Sequence, residues 1–348
     1  MHRVAIVGAS GFTGAEFLRL CAGHPELEVV VATGETQAGT RVADLYPSLA
    51  AAYPEMVFAP YDASVLDGVD LVFMGLPHGH SQALVPEIRG KVPHIVDLSA
   101  DFRFDDPSIY PQWYGEAHAA PDLLSEFAFG MPELFRSELP GAELVAVAGC
   151  YVTTASLTLA PLLAAGLIEP TGIIVDAASG ASGAGRPPKP NTTFCAVDED
   201  FTAYGLLTHR HTPEIEFALS RRAGTDAQVL FTPHLAPMNR GILATCYGRP
   251  AGSVTTDDVM ACLQEAYSGE PFVVVSERSP STKATLGSNS VHITARVDQG
   301  PARFWRSARS TIWSRAHPGR ASSAPTRCSA SPKTPVWPPP ASTRRATS

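Results

Sequence analysis

The 348-residue chain predicts an α/β fold in two domains, the first built on a parallel sheet. Three observations carry this. Residues 2–33, HRVAIVGASGFTGAEFLRLCAGHPELEVVVAT, read as strand, glycine turn, helix, strand. Short continuous apolar runs return at Leu71–Met74 and in HIVDLSADFR, as in strands buried on both faces. A hydrophobic content of 45% over this length is enough for two cores.

In order, Val4–Val7 is the first strand. Gly8, Gly11 and Gly14 follow, and Ala15–Cys21 is helix-like, with Phe17, Leu18 and Leu20 available to the sheet. LEVVVAT is the second strand. A glycine turn opening a helix inside a βαβ unit brings backbone N–H groups and the helix dipole to a pyrophosphate, so this unit predicts dinucleotide binding. Beyond the second strand, Glu35 could accept from a ribose 2′-hydroxyl. Thr33, Thr36 or Arg41 could instead meet a 2′-phosphate. No acid sits at the strand tip itself, which leans toward NADP. Gly75–His80 and Ser99–Arg103 follow later strands, at the sheet edge where ligands bind.

ELVAVAGCYVTTASLTLAPLLAAG sets Cys150 at a strand-to-helix joint. A buried packing cysteine and a nucleophile stabilised by the helix N-terminus both fit there. GIIVDAASGASGAGR is a strand and then a small-residue loop that lets backbone amides approach an anion, with Arg186 at its end. In HRHTPEIEFAL, Thr212 is the predicted N-cap and Pro213 the first helical residue. His211 then lies at the helix mouth, and Glu214, one turn along, is placed to orient its imidazole for acid/base work. VLFTPHLAPMNRGILATCYG is a strand pair around a turn at Asn239–Gly241, where Arg240 is a second anion candidate. GSNSVHITARV is the last strand.

The net charge of −8 is unevenly spread. Residues 299–348 hold nine Lys/Arg and no Asp or Glu, which leaves the first 298 residues at −17. That body is unsuited to nucleic acid. No apolar run reaches the ~18 residues of a membrane span, and the N-terminus lacks a signal-peptide shape. Cys21, Cys150, Cys195, Cys246, Cys262 and Cys328 have no CxxC spacing, so no metal site or disulfide framework is expected. A reducing cytoplasm and a small-molecule substrate fit this chain.

GASGFTG, GLPHGHS, VDLSADFR, AGCYVT, SGASGAGR, HRHTPEI, FTPHLAPMNRGI and GSN, in this order, resemble the N-acetyl-γ-glutamyl-phosphate reductases of arginine biosynthesis over residues 1–298. HRHTPEI and SGASGAGR separate that family from aspartate-semialdehyde dehydrogenase. The resemblance implies a Rossmann-like domain over residues 1–148. It also implies an α+β catalytic domain of the glyceraldehyde-3-phosphate/aspartate-semialdehyde dehydrogenase type over 149–298, in a homo-oligomer. Cys150 would be the nucleophile, with a lowered pKa, His211 its acid/base partner and Glu214 the orienting group. Attack on an acyl phosphate would give a thioester, which NADPH reduces to the aldehyde. Gly8, Ser10, Gly11, Phe12, Thr13, Gly14, Thr33, Gly75, Pro77, Ser182 and Gly183 would hold NADP. Ser99, Arg103, Gly149, Arg186, His209 and Arg240 would hold substrate. Many relatives read Asn-Pro-Gly-Cys-Tyr-Pro where this chain has Val147 to Val152, so Val147 supplies no side-chain oxyanion donor.

Residues 299–348 carry three of the four tryptophans, are rich in Ser, Arg, Pro and Ala, and show no helical or strand period. They read as a disordered tail translated out of frame. GC-rich codons for Ser310–Arg320, read from the third base, spell Asp-Asn-Leu-Val-Lys-Gly-Ala-Ser-Gly-Gln, which resembles the family's closing helix. Loss of that helix would uncover part of the first domain and lower stability and activity. Three readings follow: an active reductase, a catalytically impaired NADP-binding product, or a reductase of a related acyl phosphate.

Overall fold

The computed structural model describes residues 1–298 and the backbone of Ile312–Ser314. Its first sheet has six parallel strands: β1 (His2–Val7), β2 (Leu27–Ala32), β3 (Leu71–Met74), β4 (His94–Asp97), β5 (Phe127–Gly130) and β6 (Leu144–Val147). Their order is β2-β1-β3-β4-β6-β5. The apolar runs are continuous because alternate residues enter cores on opposite faces. Val4, Ile6, Leu71 and Phe73 pack into one core, Ala5, Val7, Val72 and Met74 into the other. Helix α1 (Phe12–Ala22) covers the first face and stacks Phe17 on Phe73 at 4.2 Å. Helix α2 (His80–Ile88) covers the second with Val85 and Ile88. Strand order reverses between β1 and β3, so Gly8 and Gly75 meet at the switch point, where open α/β sheets bind ligands.

The second sheet is mixed: β7 (Ile173–Ser179), β8 (Thr202–Ala203), β9 (Val229–Leu235), β10 (Ile242–Tyr247) and β13 (Ile312–Ser314), in the order β13-β10-β7-β9-β8. Strands β11 (Val273–Val275) and β12 (Val291–Ile293) form a separate parallel pair. On one face, Val175, Ala177, Phe231 and Ala244 share a core with α3 (Cys150–Ala164) and α4 (His211–Ala223). Helix α3 is buried from Tyr151 to Leu163. Its Thr154 and Thr158 hydroxyls donate to the carbonyls of Cys150 and Thr154, four residues back, which satisfies them inside an apolar core.

Two expectations need correction. Helix α4 begins at His211 with Arg210 as N-cap, so Thr212 is not the cap and Pro213 is the third helical residue. The Thr212 hydroxyl is buried without a hydrogen-bond partner among the described residues. The tail is not without strand structure: Ile312–Ser314 pairs antiparallel with β10 from Cys246 to Ala244. The expected disorder of the rest of residues 299–348 lies outside the described residues.

Side chains from both sheets meet at a seam. Phe217 of α4 packs edge-on against Phe104 and Phe129, at 5.8 and 5.6 Å between ring centres. One turn earlier on α4, Glu214 pairs with Arg103 at 3.0 Å, and both are buried. The Arg210 guanidinium lies over the Tyr114 ring at 5.2 Å.

Candidate active site

The glycine turn forms first. Gly8 has φ +82, which favours glycine, and a Cβ there would lie 2.6 Å from the Gly75 carbonyl oxygen. A Cβ on Gly14 would lie 2.4 Å from the Ala9 Cα, so α1 can start this close to β1 only with glycine. Helix α1 has no side-chain cap at Gly11 and no acid in its first turn. Its opening amides, at Phe12, Thr13 and Gly14, have no partner within the helix. This cradle fits the pyrophosphate of a dinucleotide. Ser10 lies in the same turn, and its carbonyl accepts the Tyr46 hydroxyl at 2.7 Å. Gly75 donates to the Val7 carbonyl at 2.8 Å, and Pro77 follows it at the exposed edge.

Thr33 is placed differently from its expected role. It is buried, and its hydroxyl and carbonyl accept the N–H groups of Gly8 and Ala9, so it braces the turn from behind. The candidate 2′-phosphate ligand Arg41 pairs with Asp44 at 2.9 Å. Glu35 accepts the Tyr61 N–H.

The loop after β7, with Ser182 and Gly183, is zipped to the turn after β9. Gly180, Ala181 and Ser182 donate to the carbonyls of Gly241, Met238 and Asn239. Arg240 on that turn reaches the other sheet and bonds Glu16 of α1, which also accepts from Arg19. Arg240, expected as a substrate ligand, is thereby a cross-seam strut that seats the loop against the cofactor helix. Arg186 is half-buried and electrostatically close to Tyr46.

The strand-to-helix joint brings the remaining candidate residues together. Cys150 is the first residue of α3 and is exposed, as a nucleophile requires. Gly149, its N-cap, is the contact point for its neighbours. A Cβ on Gly149 would lie 2.6 Å from His211 Nε2 and 2.9 Å from Arg103 Nη1. Glycine therefore admits the imidazole and the guanidinium beside the cysteine.

Three expected roles change here. Glu214 does not orient His211: its Oε1 accepts the Gly149 N–H at 2.7 Å and its Oε2 accepts from Arg103 Nη1 at 3.0 Å. His211 Nδ1 is buried with no hydrogen-bond partner among the described residues. Arg103 also donates from Nη2 to the Leu98 carbonyl at 2.8 Å, so both ends of its fork are engaged within the protein. Ser99 is buried, donating to Asp97 and accepting the Asp101 N–H, so it holds its own loop together.

His209 accepts the His211 N–H on its Nδ1 at 3.1 Å and packs edge-on against His211, Tyr151 and Phe231. Burial takes His209 down to about 4, so its ring is neutral at neutral pH. Burial also takes His211 well below its ordinary value, helped by the cations Arg103 and Arg210. The Cys150 thiol differs from the expected lowered value. Crowding by protein raises it, although the side chain keeps a solvent-facing surface. Arg103 and the N–H groups of Tyr151 and Cys150 pull the other way and do not prevail. Both shifts favour the uncharged forms of the two groups.

Sequence reasoning missed Asp101 and Glu16. Asp101 is fully buried beneath the loop at Gly75–His80 and accepts the N–H groups of Gly79 and Gln82. Glu16 is a carboxylate inside the buried stripe Gly14, Phe17, Leu18, and that interruption was the available signal.

Residues 3–142 match the family described as "Semialdehyde dehydrogenase, NAD binding domain", and residues 150–308 match "Semialdehyde dehydrogenase, dimerisation domain". The chain is 48% identical over 299 residues to N-acetyl-gamma-glutamyl-phosphate reductase of Symbiobacterium thermophilum, covering 85% of this chain and 86% of that one. It is 46% identical over 306 residues to the enzyme of the same name from Citrifermentans bemidjiense, covering 87% and 88%. Aspartate semialdehyde dehydrogenase II of Vibrio cholerae, complexed with ASA, has the same fold with a TM-score of 0.68 at 14% identity, covering 93% of this chain and 97% of that one. Aspartate semialdehyde dehydrogenase of Candida albicans, solved with NADP, superposes with a TM-score of 0.63 at 14% identity, covering 93% and 96%. The chain belongs to the N-acetyl-gamma-glutamyl-phosphate reductase family.

Proposed function

We propose that this chain reduces N-acetyl-γ-glutamyl phosphate to N-acetylglutamate 5-semialdehyde with NADPH, releasing phosphate, as a step of arginine biosynthesis. The observation that carries this is the Gly149–Cys150 joint. It exposes a thiol at a helix start, with His211 Nε2 against the adjacent glycine, in a chain 48% identical to a reductase of that name.

The residues divide the work as follows. Cys150 Sγ attacks the acyl carbon, the bond from that carbon to the phosphate oxygen breaks, and phosphate leaves with the electron pair. His211, neutral because burial disfavours its charged form, takes the thiol proton as the carbon–sulfur bond forms. The amides of Phe12, Thr13 and Gly14, with Gly8, Gly75, Ser182 and Gly183 beside them, would hold NADPH, whose chemistry there would be hydride donation to the thioester carbon. His211 then returns its proton as the aldehyde departs and the thiol reforms. Arg186 enters no ion pair or hydrogen bond among the described residues, which leaves it free to meet a substrate or cofactor anion.

All of these residues precede residue 299. The impaired-product reading is therefore not favoured, and the named relatives favour the N-acetylglutamyl group over another acyl phosphate. The test runs the reaction backward. N-acetylglutamate 5-semialdehyde, phosphate and NADP should yield reduced cofactor, and omitting phosphate should stop it. Turnover with aspartate semialdehyde alone would overturn the substrate assignment.

We also assign the outer face of the second sheet to a second copy of the chain. Ile174 and Leu230 stand exposed on adjacent strands β7 and β9, at 36% and 47%, in the domain whose family model carries the word dimerisation. Leu230→Asp should lower the mass measured by light scattering to that of a monomer. An unchanged mass would place the interface elsewhere. No helix among the described residues is long and apolar enough to cross a membrane, and free cysteines suit the cytoplasm.

A further inference from the structure

Glu214 sits where a catalytic histidine would usually find its carboxylate partner, yet it contacts a different set of groups. It is fully buried, as is most of Arg103. Its two oxygens take one donor each, the Gly149 N–H at 2.7 Å and Arg103 Nη1 at 3.0 Å. These donors come from different parts of the chain. Gly149 caps the nucleophile's helix, and Arg103 lies on the loop after β4. Both Arg103 Nη1 and His211 Nε2 press on Gly149 at the space a Cβ would fill. A bare guanidinium at this point would act on Cys150 directly, since a cation beside a thiol favours its thiolate.

We propose that Glu214 is a positioning residue of the nucleophile: it pins the Gly149 amide and the Arg103 guanidinium together at the start of α3 and neutralises the cation that would otherwise face Cys150. This assignment rests on Cys150 being the nucleophile. Several groups face that thiol. From α3 come the N–H of Tyr151 and its phenol, bonded to Tyr204. Glu214 of α4 and Arg103 of the loop after β4 act on it electrostatically, while His211, with His209 and Arg210 around it, lies against the adjacent Gly149. Of these, Arg103 and Glu214 are the buried opposite charges that meet at Gly149. Burial raises Glu214 above the usual carboxylate range, and the Arg103 charge and the hydrogen bonds on both of its oxygens oppose that rise.

The arrangement has a purpose that an orienting carboxylate would not serve. With its cation neutralised, the thiol stays protonated in the resting enzyme, so it resists oxidation and stray electrophiles. It ionises when His211 removes its proton in the reaction. The carboxylate restrains the nucleophile and does not drive the base.

The two readings predict opposite signs for Glu214→Gln. The amide keeps the shape and an acceptor for the Gly149 N–H but leaves Arg103 uncompensated. The full-length chain is treated with iodoacetamide across a pH series, and alkylation of Cys150 is followed by mass spectrometry of its peptide. In Glu214→Gln the alkylation midpoint should fall by about one pH unit, about tenfold more thiolate at neutral pH. Turnover should fall at least tenfold in kcat with KM for NADP unchanged. Arg103→Gln should move the midpoint upward. A midpoint that rises or stays in Glu214→Gln overturns the proposal, as does a variant that no longer binds dinucleotide, which would make the pair a requirement of the fold. Alkylation needs no substrate and no turnover. A failure here therefore leaves the reductase reading standing, and a chain without turnover leaves this reading testable.

Discussion

Cys150→Ser is expected to lower phosphate-dependent reduction of NADP by on the order of 10³-fold or more, as for other nucleophile deletions, while dinucleotide binding persists. The size of the loss follows from the base. Burial takes His211 well below its ordinary value. A base that weak can accept the proton of a thiol during attack, but an alcohol is far less acidic. The helix start that aids a thiolate contributes only about 0.3–1 kcal/mol to a nearby anion, too little to ionise serine. The glycine cradle at Gly8 and Gly14 follows β1, which β3 and β4 separate from β6 ahead of residue 150, so cofactor affinity by equilibrium dialysis should be unchanged. Serine turnover within tenfold of the parent chain would remove Cys150 from the mechanism.

Gly149→Ala is expected to cost about 10²-fold in kcat, through geometry alone. The added methyl would sit 2.6 Å from His211 Nε2 and 2.9 Å from Arg103 Nη1. Neither neighbour is the loose end of an exposed chain. The His211 ring is packed edge-on against His209 and Tyr151, and Arg103 is held by Glu214 and the Leu98 carbonyl. One of these groups must shift by most of an ångström, and a displacement of that order costs about 10² in rate. The kinetic signature is a fall in kcat with KM for NADP unchanged. Stability should fall by about 1–3 kcal/mol, the usual range for overpacking a filled site, read by urea unfolding. Full activity in Gly149→Ala would show that the imidazole works from a different position.

The parts of this protein written in local pattern were legible from the chain. Val4–Val7 and Leu71–Met74 announce doubly buried strands because every residue in them is apolar. The turn at Gly8 was legible because glycine at a strand end, before a helix, has few other uses. That Cys150 and His211 each open a helix was legible too, from the apolar runs that follow them. What the sequence hid is pairing across distance. Glu214 lies three residues beyond His211 in the chain, so its imidazole looked like the natural partner. The actual donors are Gly149 and Arg103, 65 and 111 residues away. Arg103 and Arg240 read as anion ligands because free arginines usually are. Each is instead matched to a carboxylate whose position only the folded seam determines. Thr33 and Ser99 carry hydroxyls at the right edge of the sheet, and backbone amides take them first. Ile312–Ser314 gave no strand signal, since three residues beside an established sheet need little propensity of their own.

The clasp at Gly149 spans the seam, and this bears on how such a protein can change over time. The guanidinium comes with one sheet, the carboxylate and imidazole with a helix on the other, and the thiol from the joint between them. Neither half owns a reactive centre. A duplicated or borrowed half would bring binding surfaces but no chemistry, and a hinge movement of a few ångströms would silence the enzyme without unfolding anything. The site behaves as a logical conjunction that is true only when both halves are seated. The two halves are therefore bound to be inherited together.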